Sequence, residues 1–76
     1  MKIKEKIIKI FESKGYIIEN SQSDIIIDNA INSIDFIELI ILLESEFSIV
    51  IPDEFLLIDE MNTIEKITGI IHSSLE

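Results

Sequence analysis

The chain has 76 residues, 47% of them apolar, and a formal net charge of −9. A chain of this length forms one domain, here residues 1–76, and buries only about 60% of its unfolded surface, so a single core of modest stability is expected. The absence of cysteine excludes disulfides and thiolate metal sites, and the acidic balance disfavours nucleic acid and anionic lipid as partners.

Five of the six lysines lie between Lys2 and Lys14, and only Lys66 follows them. Acids dominate the second half, which suits partners that carry basic patches. The N-terminus mixes lysines with isoleucines and lacks the long apolar core of a signal peptide. No apolar run is long enough to span a membrane. A cytoplasmic monomer is the expectation.

Taken in chain order, Ile3, Ile7, Ile10 and Phe11 recur at helical spacing and predict a first helix over about Lys2 to Lys14. Gly15 stands where a left-handed terminator belongs. Asn20-Ser21-Gln22-Ser23-Asp24 is turn chemistry. Ile25-Ile26-Ile27 has strand propensity, but no second strand-like run accompanies it. Residues 16–32 are therefore read as a long loop that plugs isoleucines into a helical core. From Ser33 to Phe47 the pattern is helical again, with Ile34, Ile37, Leu39, Ile40, Leu43 and Phe47 as the buried stripe. Ile49-Val50-Ile51-Pro52 is extended, since Pro52 restricts the residue before it. Asp53 and Glu54 open a short helical turn through about Ile58, and Asn62-Thr63 caps a last helix carrying Ile64, Ile67, Ile70 and Ile71. The fold class is all-α: a small bundle of three longer helices plus one short helix, with a long loop after the first.

Ser33 opens the most acid-studded helix. A serine there can cap the helix, or it can carry a phosphate-linked group at the positive end of the helix dipole. No catalytic or metal site is expected. His72 falls in the last helical turn, where a cation suits the dipole, and nothing near it supplies an oxyanion hole for a Ser-His-Asp site. Read as a calcium loop from Asp28, the chain places Ala30 third and Ser33 where glycine belongs, so that pattern fails.

Ser33-Ile34-Asp35 at a helix start is followed by Glu38-Leu39, Leu43-Glu44, Glu46-Phe47 and then Ile51-Pro52-Asp53-Glu54. Thr63-Ile64 precedes the last helix. This ordered series resembles the acyl carrier protein family, whose members include peptidyl and D-alanyl carriers. The resemblance covers nearly the whole chain, most strongly residues 30–67. It implies an acyl-carrier-like bundle in which Ser33 bears a covalent 4′-phosphopantetheine arm, taken from coenzyme A. The arm would be attached by a phosphopantetheinyl transferase and would hold acyl or aminoacyl intermediates as thioesters. Loading, condensing or thioesterase enzymes with basic patches would be its partners in fatty-acid, polyketide or peptide-type biosynthesis. The chain itself would not be an enzyme. Two features depart from the family pattern. Asn32 stands where many carriers have Asp, and Ala30-Ile31 occupy the stretch where a family glycine commonly lies two residues further back. These departures bear on which transferases accept the protein.

The expected docking residues around Ser33 are Ile34, Asp35, Phe36, Glu38, Ile41, Glu44 and Glu54. Phe36, Ile41 and Leu42 are apolar beyond the buried stripe, which suggests an apolar patch ringed by Asp35, Glu38 and Glu44 on one face. On this reading Phe36 borders the arm and Phe47 is buried at the end of the stripe. Two alternatives stand beside it: a D-alanyl carrier for cell-wall modification, and an unmodified helical interaction module.

Overall fold

The computed structural model describes residues 2–75. Among them there is no strand, and four α-helices form a small bundle: α1 (Ile3–Ser13), α2 (Ile25–Asp28), α3 (Ser33–Phe47) and α4 (Ile64–Leu75). No helix among the described residues is long and apolar enough to cross a membrane.

α1 ends as its sequence dictates. Gly15 adopts φ +90° and its N–H reaches Glu12 O at 2.9 Å, a left-handed stop that costs glycine no Cβ clash. Ile7, Ile10 and Phe11 from α1 join Ile64, Ile67, Ile70 and Ile71 from α4 in the core. α1 and α4 are the most extensively packed pair of helices.

The long loop does plug isoleucines into that core: Ile25, Ile26 and Ile31 are buried. Its centre is neither strand nor irregular. Asp24 Oδ1 accepts from Ile27 N at 3.0 Å and so starts the single turn of α2. A local side-chain cap has overridden the strand propensity of three consecutive isoleucines. Asn29 holds the start of the loop, exchanging hydrogen bonds with Ile17 N and Ile17 O at 2.9 and 3.0 Å.

The short helix expected over 53–58 is replaced by two 3₁₀ turns, Asp53–Phe55 and Ile58–Glu60. Leu57 interrupts them with extended backbone (φ −117°, ψ 141°). The one short α-helix of the bundle is thus α2, earlier in the chain. Thr63 Oγ1 accepts from Lys66 N at 3.1 Å, which caps α4.

The phase of α3 differs from the expected stripe. Leu39, Ile40 and Leu43 are buried, but Phe36 joins them at 8% exposure, while Ile34 and Ile37 are 70% and 57% exposed. α3 carries apolar residues on nearly every side, so helical spacing alone fits more than one buried face. The core selected 36, 39, 40 and 43. Phe36, expected to border an exposed patch, is therefore a core residue that is almost wholly buried. Phe47 is only half-buried. It lies beside the last turn, where Ser48 turns left-handed (φ 54°) and the Lys6 ammonium sits 4.9 Å from its ring centroid.

Candidate functional site

The start of α3 is built by Asn32. Its Oδ1 accepts from Asp35 N at 2.8 Å, and its backbone carbonyl accepts from Phe36 N at 2.9 Å. Capping thus falls to Asn32, one residue before Ser33. The Ser33 side chain is left exposed and free of that task. The N–H groups of Ser33 and Ile34 precede the first intrahelical bonds and point toward the positive end of the helix dipole. A phosphodiester on Ser33 fits this surrounding: an accessible hydroxyl, free backbone donors and a helix N-terminus that favours negative charge.

From Ser33 an open groove of about 640 Å³ runs along α3. Its floor is Phe36 and Ile40, and Ile37, Ile41 and Glu44 form one side. Leu56, Leu57, Ile58 and Asp59 form the opposite wall. Ser33 and Glu44 are eleven residues apart on one helix, so the groove extends roughly 16 Å along its axis. Its volume lies within the range of about 300–1,000 Å³ usual for small-ligand sites, and its lining is mostly apolar.

The expected docking residues do not share one face. Nine residues at about 100° each place Glu44 on the opposite side of α3 from Asp35. Glu44 lines the groove, is half-buried, and accepts from Ile51 N at 2.8 Å. It ties the extended segment after α3 back onto the helix. Asp35 and Glu38 lie on the other flank, where partial burial and then their charges push the Tyr16 phenol up. Ile34 and Ile41 are exposed, Ile41 at 59%. Glu54 is exposed on the first 3₁₀ turn and does not line the groove. The site that assembles around Ser33 is thus an apolar groove edged by Glu44 and Asp59, with Asp35 and Glu38 on the far flank of the helix.

Compared with family models, with curated proteins and with solved structures, the chain matches none.

Sequence reasoning did not find the groove wall. Leu56, Leu57 and Ile58 fall within the short helical turn expected through about Ile58. The signal lay in their excess: three successive large aliphatic residues between two pairs of acids, more than a short surface turn can bury.

His72 lies exposed in the last turn of α4. The side chains at the groove supply attachment, apolar contact and negative charge. They include no His, Cys or Lys to act as base or nucleophile at neutral pH.

Proposed function

We propose that this chain is a carrier protein of the acyl-carrier type, with 4′-phosphopantetheine joined to Ser33 as a phosphodiester. One observation carries the reading: Ser33 presents an exposed hydroxyl in the first turn of α3, freed from capping by Asn32, at the mouth of an apolar groove. The arm, when attached, supplies a thiol that holds the cargo as a thioester. The chain's own residues do the rest. The free N–H groups of Ser33 and Ile34 face the phosphate charge. Phe36, Ile37, Ile40 and Ile41 give an aliphatic cargo somewhere to leave water, which favours an acyl cargo over an alanyl group too small to use the groove. Tethering raises the local concentration of that cargo at each partner enzyme. Asp35 and Glu38 on one flank and Asp59 on the other leave the approach to Ser33 acidic, so partners with basic patches are steered toward it.

The test is intact mass after co-expression with a broad-specificity phosphopantetheinyl transferase. One phosphopantetheine should be added to the wild type and none to Ser33→Ala, with thermal unfolding of the variant unchanged. Modification at another serine, or none on a folded wild type, refutes the carrier reading. The second of these leaves the unmodified interaction module in its place.

A further inference from the structure

The groove wall has little support of its own. Between Ile51 and Met61, both fully buried, the chain makes only the two 3₁₀ turns, and neither contains a buried residue. The second turn is closed by Glu60 N to Leu57 O at 2.9 Å and Met61 N to Ile58 O at 3.2 Å. Short-range bonds of this kind with little burial open at low free energy.

Phe55 and Leu56 rest against the core at the first turn, but the second turn carries no such anchor and is tied by a polar side chain. Lys66 Nζ donates to Asp59 O at 2.8 Å and to Asn62 Oδ1 at 3.0 Å. Asn62 Nδ2 donates in turn to Asp24 Oδ2 at 2.9 Å, and Asn62 O accepts from Ile25 N at 2.9 Å. A chain of hydrogen bonds therefore runs from the groove wall, through the first turn of α4, to the cap of α2. Lys66 is the only lysine or arginine after Lys14. Its ammonium lies in an otherwise acidic region, with one donor on the wall at Asp59 O and a second on Asn62, which anchors it.

We propose that Lys66 is the latch of a movable groove wall. Its ammonium pins the wall at Asp59 to the start of α4, and releasing it lets the wall move away from α3 and opens the groove beside Ser33. Lys66 does not line the groove, so it acts as a positioning residue, through Asp59. The inference concerns the groove alone and is tested on unmodified protein, so its failure is separate from failure of the carrier reading.

The experiment compares wild type, Lys66→Met and Lys66→Arg by amide hydrogen exchange. The same three are made in a Leu57→Trp background, where the introduced indole is the only one and reports the wall by acrylamide quenching. In Lys66→Met the Glu60 and Met61 amides should exchange about tenfold faster, with α1 and α3 amides unchanged and the indole more strongly quenched. Lys66→Arg, which keeps two donors and the charge, should restore most of both signals. Unchanged exchange at Glu60 and Met61 overturns the latch. So does a rise shared equally by α1 and α3, because that is general loss of stability.

Discussion

The two sides of this small bundle are held by different forces. On the α1–α4 side, isoleucines and Phe11 close directly against one another and the helices are long enough to support their own hydrogen bonds. On the other side, α3 faces a wall of two 3₁₀ turns across an open groove, with Lys66 donating to the wall at Asp59 O and Glu44 accepting from Ile51 N, where the segment leading to the wall begins. Apolar packing would have closed that gap, since Ile37, Ile41 and Leu57 are all available to fill it. The contrast teaches that a closed apolar core and an exposed apolar surface are assigned to separate faces. One face spends its apolar surface on the core; the other leaves it in water beside Ser33, where a ligand can cover it.

The sharpest way to break this comparison is to truncate adjacent residues of α3. Phe36 and Ile37 are neighbours in sequence and both reach the groove, yet Phe36 is buried beneath its floor while Ile37 is 57% exposed along its side. Phe36→Ala should cost roughly 3–5 kcal/mol, a large share of the stability of so small a domain. Ile37→Ala should cost under about 1 kcal/mol. Denaturant titration of both variants checks this. Equal losses would mean that the groove is closed in solution and that the two faces are not distinct.

The next effect is at the start of α3. Asn32→Ala removes the cap on Asp35 N and should cost about 1 kcal/mol. Asn32→Asp keeps an acceptor there and should match or exceed wild-type stability, since it adds negative charge at the helix N-terminus. If Asn32→Ala is neutral while Ser33→Ala destabilises, then Ser33 is the cap after all and its hydroxyl is not free.

That pair of residues also marks how far the sequence could be read. The helices and their stops were legible because their signals are local: Gly15 after α1, Pro52 after the extended segment, Thr63 before α4. Ser33 was legible as a helix opener for the same reason. The phase of α3 was not. Ile34, Phe36, Ile37, Ile40 and Ile41 put apolar side chains around most of the helix, and only the shape of the rest of the core decides which of them are inside. The one face expected for Asp35, Glu38 and Glu44 failed on the geometry of the helix, and Glu44 was drawn to Ile51 N by a segment distant in space until folded. Nor could Lys66 be seen as a tie to the groove wall, because its partners are Asn62 Oδ1 and a backbone carbonyl, and a carbonyl has no sequence signature.

Acid should weaken the polar side selectively. The Asp24 carboxyl is held below the ordinary aspartate range, chiefly by the Ile27 N–H and further by the Asn62 side chain and the charge of Lys66, against a partial desolvation cost. A depressed carboxylate stabilises the fold at pH values above that ordinary range. The contribution is lost as the pH falls through the lower, folded-state value. Asp24→Asn keeps a capping oxygen and loses the charge. The gap in stability between wild type and this variant should be present at neutral pH and close in acid, as the pH falls below the ordinary aspartate range and through the lower folded-state value. Following the difference between the two proteins removes the general relief of negative repulsion that both share. A gap that persists unchanged in acid would mean that the Asp24 charge does not support the junction.

The smallest effect expected is a gain, and it lies on the hinge between the two sides. Ala30 follows α2, precedes the Asn32 cap, and sits at φ 51°. A residue with a Cβ in this left-handed region is strained by about 1–2 kcal/mol. Glycine escapes that strain but gives the unfolded chain more freedom, which offsets about 0.4–1 kcal/mol of the gain. Ala30→Gly should therefore stabilise the protein by a few tenths of a kcal/mol to about 1 kcal/mol, seen as a rise of a few degrees in Tm. Ser48, at φ 54° after α3, offers the same backbone geometry far from the start of that helix, so Ser48→Gly is the matched control. If both gain, the strain is ordinary turn strain and the path into Ser33 is simply an imperfect turn. If Ser48→Gly gains and Ala30→Gly loses, the unfavourable φ at Ala30 is offset by order it imposes on the cap. The turn into α3 is then held rigid to present Ser33, which places the entry to the groove with the well-supported side of the molecule and confines the movable part to the opposite wall.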